Sequence, residues 1–229
     1  MKWLLRNIEF SLFMVISQCV YSVVPIIDHK DIIQEIVSHE YEEVPGQGTL
    51  AFAALHGDSL GAFNYVKEGC DINLYDCNCR TPLQEAILHK HEDIAILLSD
   101  CKNLLIDQYS AQGFTALHYA TAEEEYSFVE RLLMKGANVN LKAYSLPLAS
   151  QYSGLTALHI ACMLGNIKLV DLLLRHGADL AVKDRAGRTP LHYAVAYASN
   201  DSQHQQVAEL LLLKNRKILD MVDADGASP

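Results

Sequence analysis

One six-residue pattern recurs along this chain, and its regular spacing constrains the fold more than any other feature. Residues 115–120, 156–161 and 189–194 read TALHYA, TALHIA and TPLHYA, and residues 81–86 and 48–53 carry the weaker copies TPLQEA and GTLAFA. Successive copies begin 33, 34, 41 and 33 residues apart. A unit of this length cannot bury its own apolar side, so several units must stack to form one continuous core.

Each unit has the pattern of two short helices that end at glycines. In the clearest copy, Thr156 can cap the first helix, Gly165 can end it, and Gly177 can end the second helix. Apolar residues recur at helical spacing in both helices: Leu158, Ala161, Cys162 and Leu164 in the first, and Ile167, Val170, Leu173 and Leu174 in the second. The sequence therefore predicts one helix pair per unit.

These residue types, in this order and at a period of about 33 residues, resemble the ankyrin repeat. The resemblance covers residues 48–229 and implies an all-α fold, an ankyrin-repeat solenoid of stacked helix-turn-helix units with short β-hairpin fingers. It also implies that His118, His159 and His192 orient the turn through hydrogen bonds, and do not serve catalysis or bind a metal.

The chain divides into three predicted segments. Residues 1–22 are a signal peptide or an apolar N-terminal helix, residues 23–47 are an N-terminal capping segment, and residues 48–229 are an array of about five repeats with the start of a sixth. Within the capping segment, residues 28–43 are predicted to form a helix. Its apolar face consists of Ile32, Ile33, Ile36 and Val37.

Several departures from the regular unit predict local differences. Residues 141–154 form an insertion in the finger before the fourth repeat, and residues 199–205 form a shorter polar insertion in the fifth. In the second repeat, Lys90 and Lys102 stand where glycine is usual, which leaves the ends of its helices unpredicted. Because the sixth unit is incomplete, we expect the last helix to leave one apolar side uncovered, formed by Val207, Leu210 and Leu211.

The first 22 residues leave three interpretations open. Lys2 and Arg6 precede an apolar stretch, and Ser22 would place a small residue before a cut at Val23, as in a secretory signal. Polar residues interrupt the stretch, which argues against a membrane span. The alternatives are a helix of the folded domain and a retained anchor. We therefore expect a secreted or extracytoplasmic protein if the signal is real, and a cytoplasmic protein otherwise.

Composition and motifs narrow the classes of function. The formal net charge is -10 and no Lys/Arg-rich run occurs, which argues against a nucleic-acid partner. Of six cysteines, five would remain after a signal cut, and Cys77 and Cys79 lack the spacing of zinc ligands. The sequence has no phosphate-binding glycine loop, and residues 1–47 are too few for a catalytic domain. We expect no enzyme activity, cofactor or metal.

The sequence therefore favours a non-enzymatic scaffold that binds a protein partner through the concave groove of the array. Secretion by a host-associated microbe is one setting in which it could act. Two alternatives remain open: the accessory ankyrin portion of a longer enzyme, and an adaptor anchored to a membrane by a retained N-terminal segment.

The resemblance also predicts which residues line the groove. In ankyrin arrays these are the positions one, three and four before the leading threonine, and seven and eight after it. In the last three repeats, eight of these positions hold aromatic, aliphatic and arginine side chains: Phe114, Tyr152, Leu155, Met163, Leu164, Arg185, Arg188 and Tyr197. Such residues are enriched in protein interfaces, so we predict an exposed binding patch. The alternative is that the insertion covers the patch and makes it part of the core.

Overall fold

The computed structural model describes residues 49–144, 153–198 and 202–229. Within these ranges the chain forms five helix pairs and one short 3₁₀-helix, and it contains no strand. The α-helices are α1 (Leu50–His56), α2 (Ser59–Lys67), α3 (Pro82–Leu88), α4 (Glu92–Ser99), α5 (Ala116–Ala122), α6 (Tyr126–Met134), α7 (Ala157–Leu164), α8 (Ile167–Arg175), α9 (Pro190–Ala198) and α10 (Ser202–Lys214). The predicted all-α repeat fold is confirmed.

The helices stack in two layers. The first helix of each pair packs on the first helix of the next pair, which forms an inner layer of α1, α3, α5, α7 and α9, and the second helices form an outer layer in the same way. The repeated leucine and alanine of the six-residue pattern lie at the centre of the inner layer and are at most 4% exposed: Leu50, Leu83, Leu117, Leu158, Leu191, Ala53, Ala86, Ala120, Ala161 and Ala194. Burying each such leucine stabilises the array by about 1.5–3 kcal/mol.

Hydrogen bonds hold the fingers of neighbouring repeats in register. A backbone N–H of each later finger donates to a carbonyl of the earlier one, as from Ala111 to Cys79 (3.0 Å) and from Arg185 to Ser153 (3.1 Å). A second series uses side chains that donate to the next finger: Tyr75 Oη to Tyr109 O (2.6 Å), Tyr109 Oη to Lys142 O (3.1 Å), Lys142 Nζ to Lys183 O (2.8 Å) and Lys183 Nζ to Val222 O (2.6 Å). The fingers therefore form one continuous row.

The two lysines that replace glycine behave differently. Gly165 ends α7 in the left-handed conformation, with φ of 70°. Lys90 adopts the same conformation after α3, with φ of 61°. Lys102 does not have a positive φ. The second repeat therefore keeps the usual end of its inner helix at the expense of backbone strain, because a left-handed conformation disfavours a side chain.

We expect Lys90→Gly to raise the free energy of unfolding by about 1 kcal/mol, because glycine removes this strain. The exposed ion pair between Lys90 and Glu125 is lost, but such pairs contribute less than this. Lys102→Gly is the matched control, and it should lower the free energy of unfolding by about 0.5–1 kcal/mol through added chain entropy. Urea unfolding of both variants measures the effects. Changes of the same sign would contradict the assignment of strain to Lys90.

The C-terminal helix is covered, contrary to the expectation from the sequence. Val207 and Leu211 are 0% exposed, because the 3₁₀-helix Arg216–Asp220 packs against α10 and buries Ile218 to 1% exposure. Leu210 is half-buried. Beyond the 3₁₀-helix, the chain forms the turn of a sixth finger, in which the N–H of Asp223 donates to the carbonyl of Ala227 (2.8 Å). The expectation of an uncovered apolar side at Val207 and Leu211 was wrong.

Candidate functional site

Three histidines connect each repeat to the next. In each ring Nδ1 accepts the N–H of the threonine that caps its own helix, and Nε2 lies 3.1–3.2 Å from a carbonyl of the following repeat. The residue triplets are Thr115–His118–Leu155, Thr156–His159–Arg188 and Thr189–His192–Ala227. Because Nδ1 accepts, Nε2 must carry the proton and donate it, which assigns a neutral ring. These are the structural hydrogen bonds expected of the three histidines, and they also reach the next repeat.

Burial keeps two of these rings neutral. His118 and His159 are 1% and 0% exposed, and burial lowers the pKa of each ring to about 4. In the second repeat Gln84 takes the place of the histidine. Its Oε1 accepts the N–H of Thr81 at 3.0 Å, and its Nε2 donates to Gln108 O at 2.7 Å. The position therefore needs one acceptor and one donor, and it does not need a charge.

Four of the predicted binding residues of repeats three and four converge on one small apolar cluster beside the fingers. Leu155 packs with Ala143 and Ile160 in its buried centre, and partly buried apolar side chains surround them: Phe114, Ala122, Met163, Leu164 and Tyr193. Leu155 is 1% exposed, so the expectation that it is exposed was wrong. The reason is the base of the insertion, where the Ala143 N–H donates to Leu155 O (2.7 Å) and the Gly154 N–H donates to Ala143 O (2.6 Å).

The two predicted arginines are exposed in the finger of the fifth repeat. Arg188 Nε lies 3.9 Å from Asp223 Oδ2, and the backbone N–H of Arg185 donates to Ser153 O. Tyr193 connects this finger to the apolar cluster, because its hydroxyl donates to Asp184 Oδ2 at 2.7 Å. Burial raises the pKa of that hydroxyl, so Tyr193 remains a neutral donor.

Two of the eight predicted residues cannot be placed, and some members of the cluster were missed. Tyr152 and the side chain of Tyr197 lie outside the described residues. Ile160 and Tyr193 were not predicted, although both stand four residues after a leading threonine. Adding this one position to the groove pattern would have found both residues, because it faces the fingers in the same register.

The finger side of the second repeat is polar. Arg80 Nη1 lies 3.2 Å from Glu85 Oε1, and His89 Nε2 lies 3.2 Å from Glu85 Oε2. Glu85 is 0% exposed, and burial raises the pKa of its carboxyl to about 7. The Arg80 guanidinium also stands 5.9 Å from the centre of the Tyr119 ring. Along the finger side, the second repeat therefore contains a buried polar cluster, the fourth an apolar cluster and the fifth two exposed arginines.

The described residues contain no group of three or more His, Cys, Asp or Glu placed to hold a metal ion. None of the described helices has the length and hydropathy needed to cross a membrane.

Stacked helix pairs joined by fingers, with a patch of apolar and arginine side chains beside them, define a helical-repeat solenoid of the kind that binds ligands on its finger side. The family model for ankyrin repeats matches residues 50–143 and 145–222. The chain belongs to the ankyrin-repeat family.

Curated relatives include much longer proteins. The chain is 32% identical over 134 residues to Protein glp-1 of Caenorhabditis elegans, with 56% of this chain and 10% of the relative covered. It is 29% identical over 191 residues to the Transient receptor potential cation channel subfamily A member 1 of Drosophila melanogaster, covering 77% and 15%. For the Ankyrin repeat and SOCS box protein 3 of Homo sapiens, the identity is 26% over 182 residues, covering 67% and 35%. The chain thus spans a small part of each relative.

Proposed function

We propose that this chain is a non-enzymatic scaffold that binds a protein partner at a surface we name the groove patch. The groove patch consists of half-buried apolar side chains with two exposed arginines at its edge: Phe114, Met163, Leu164, Tyr193, Arg185 and Arg188. Ankyrin repeats generally mediate protein–protein interaction, and the family model for these repeats matches most of the chain. The observation that carries the proposal is the convergence of apolar side chains next to arginine.

The residue types of the groove patch suit an interface core. Aromatic residues, methionine and arginine are enriched where partners contact each other, and a few such residues carry most of the binding free energy. The two arginines are exposed in the free chain, so a partner can remove them from water without rearranging the array. We therefore propose that Arg185 and Arg188 contribute to affinity, and that Leu155 acts only by supporting the patch from below.

We expect Arg185→Glu combined with Arg188→Glu to weaken partner binding by about tenfold or more, because an arginine that a bound partner removes from water contributes about 1–2 kcal/mol. Both side chains are exposed, so the thermal midpoint should change little. The measurement is quantitative affinity capture of protein partners by the full chain, with circular dichroism to check folding.

The matched control is Lys168→Glu with Arg175→Glu, which makes the same change of charge on the exposed side of the outer helix α8. Partners captured by the wild type should be retained by this control and lost by the groove-patch variant. If the two variants capture the same partners to the same extent, the groove patch is not the binding surface.

Export from the cytoplasm stays a separate proposal that depends on the residue order of the first 22 positions. N-terminal sequencing of the mature protein tests it. A start near Val23 supports secretion, an intact Met1 supports an anchor or a folded helix, and a lipid on Cys19 supports a lipoprotein. The alternative functions remain a membrane-anchored adaptor and the accessory ankyrin portion of a longer enzyme. The small share of each relative's length that the chain spans is compatible with the accessory portion.

A further inference from the structure

An apolar cavity lies at the N-terminal end of the described array. Its volume is about 550 Å³. Apolar side chains of the first helix pair and the following finger line it: Leu50, Phe52, Leu55, Tyr65 and Leu74. Three carboxylates, Glu68, Asp71 and Asp76, lie among the lining residues as well. The cavity is therefore an apolar surface with acidic groups around it.

The first repeat exposes more large apolar side chains than any other described repeat. Four of them are exposed by half or more: Leu60 (72%), Phe63 (51%), Leu74 (62%) and Tyr75 (50%). Each of the other repeats has at most one such side chain among the described residues. The reason lies in the stacking, because α3, α5, α7 and α9 each pack on a preceding inner helix, and no described helix precedes α1.

A segment that precedes α1 in the sequence has the apolar pattern of an outer helix. In α6 the buried residues occupy positions i, i+1, i+4 and i+5: Phe128, Val129, Leu132 and Leu133. The same four positions are apolar in the segment 28–43: Ile32, Ile33, Ile36 and Val37. The connecting residues 44–48 read VPGQG, which suits a turn, and five residues reach about 17 Å when extended.

We propose that residues 28–43 dock as a helix on the N-terminal cavity and cover it in the manner of a preceding outer helix. The docking face is Ile32, Ile33, Ile36 and Val37, whose burial removes apolar surface of both elements from water. An array end needs such a cover for solubility. This inference is independent of the groove patch, which lies in repeats three to five. It also holds whether or not residues 1–22 are removed.

Two cysteines of the cavity provide the test. Cys70 and Cys77 line the cavity and are exposed. A helix docked on the cavity should shield both thiols. The experiment measures maleimide labelling of each cysteine in the full chain by mass spectrometry. The variant Ile33→Asp with Ile36→Asp places two charges on the docking face. The control Gln34→Asp with Ser38→Asp places the same two charges on the opposite side of the predicted helix.

We expect Cys70 and Cys77 to react slowly in the wild type and in the control, and about tenfold faster or more in the Ile33/Ile36 variant. Cys162 is 0% exposed and should remain unreactive in all three proteins, which shows that the array stays folded. Equal labelling of Cys70 and Cys77 in all three proteins overturns the proposal. Labelling of Cys162 only in the Ile33/Ile36 variant also overturns the proposal. Any faster labelling of Cys70 and Cys77 would then result from unfolding of the array, and not from an uncovered cavity.

Labelling at several protein and salt concentrations distinguishes docking of residues 28–43 from other ways of covering the cavity. Shielding by the chain's own segment is independent of protein concentration, whereas shielding by a second copy is lost on dilution and overturns the proposal. The segment carries six carboxylates and one lysine, and the cavity is also acidic. Charge therefore opposes the docking, and we expect labelling to become slower when salt screens this repulsion. Faster labelling at high salt would show that charge attraction holds the segment, and would contradict docking through the apolar face.

Discussion

Replacing Gly113 by alanine is expected to lower the free energy of unfolding by roughly 3 kcal/mol or more, the largest effect of a Gly→Ala change among the described glycines. Gly113 has φ of 77°, in the left-handed region that disfavours a side chain. A Cβ atom there would overlap the carbonyl oxygen of Tyr144, a backbone atom of the neighbouring finger. The Gly113 carbonyl also accepts the Tyr144 N–H at 3.0 Å, so the two fingers cannot separate freely.

Gly136→Ala is the matched control for this prediction. Gly136 also has positive φ, at 92°, but an added Cβ would meet open space. It should therefore lower the free energy of unfolding by only about 1 kcal/mol, the contribution of the backbone conformation. Urea unfolding followed by circular dichroism measures both variants. Equal losses would show that the contact between the fingers of Gly113 and Tyr144 contributes little.

Acid is expected to destabilise the array strongly through its buried histidines. The pKa of His118 and His159 is about 4 in the folded chain, below the ordinary value of 6.5. Their contribution to stability is therefore fully present above pH 6.5 and is lost as the pH falls from 6.5 towards 4, because only the unfolded chain binds the protons easily. At pH 4.5 each ring should lower the free energy of unfolding by about 2 kcal/mol relative to pH 7.

The variant His118→Gln with His159→Gln tests this prediction, because Gln84 already fills the same position with both hydrogen bonds made. Its free energy of unfolding should fall much less between pH 7 and pH 4.5 than that of the wild type. Burial of Glu85 acts in the opposite direction, since its raised pKa favours the folded state at low pH, but this group is present in both proteins. His176→Gln, at an exposed site after α8, is the control. Parallel pH profiles of the wild type and the double variant would contradict the prediction.

Local residue patterns were sufficient to predict the repeat, the helix positions and the role of the histidines. These features depend on residues close together in the chain. Threonine and histidine three positions apart form a cap, apolar residues three and four apart share a helix face, and glycine permits the left-handed turn at Gly165. The recurrence of the same local pattern then required stacking, because no single helix pair can bury its own apolar face.

The burial of the remaining side chains depends on contacts between segments that are distant in the chain. Leu155 and Arg185 both occupy groove positions in the sequence pattern, yet Leu155 is enclosed by the base of the insertion and Arg185 is exposed. Val207 is covered by a 3₁₀-helix that follows it, and Glu85 is buried beside Arg80 although carboxylates are usually exposed. The physical reason is common to all four residues. Exposure depends on which neighbouring segment packs over a side chain, and a local residue pattern contains no information on that contact.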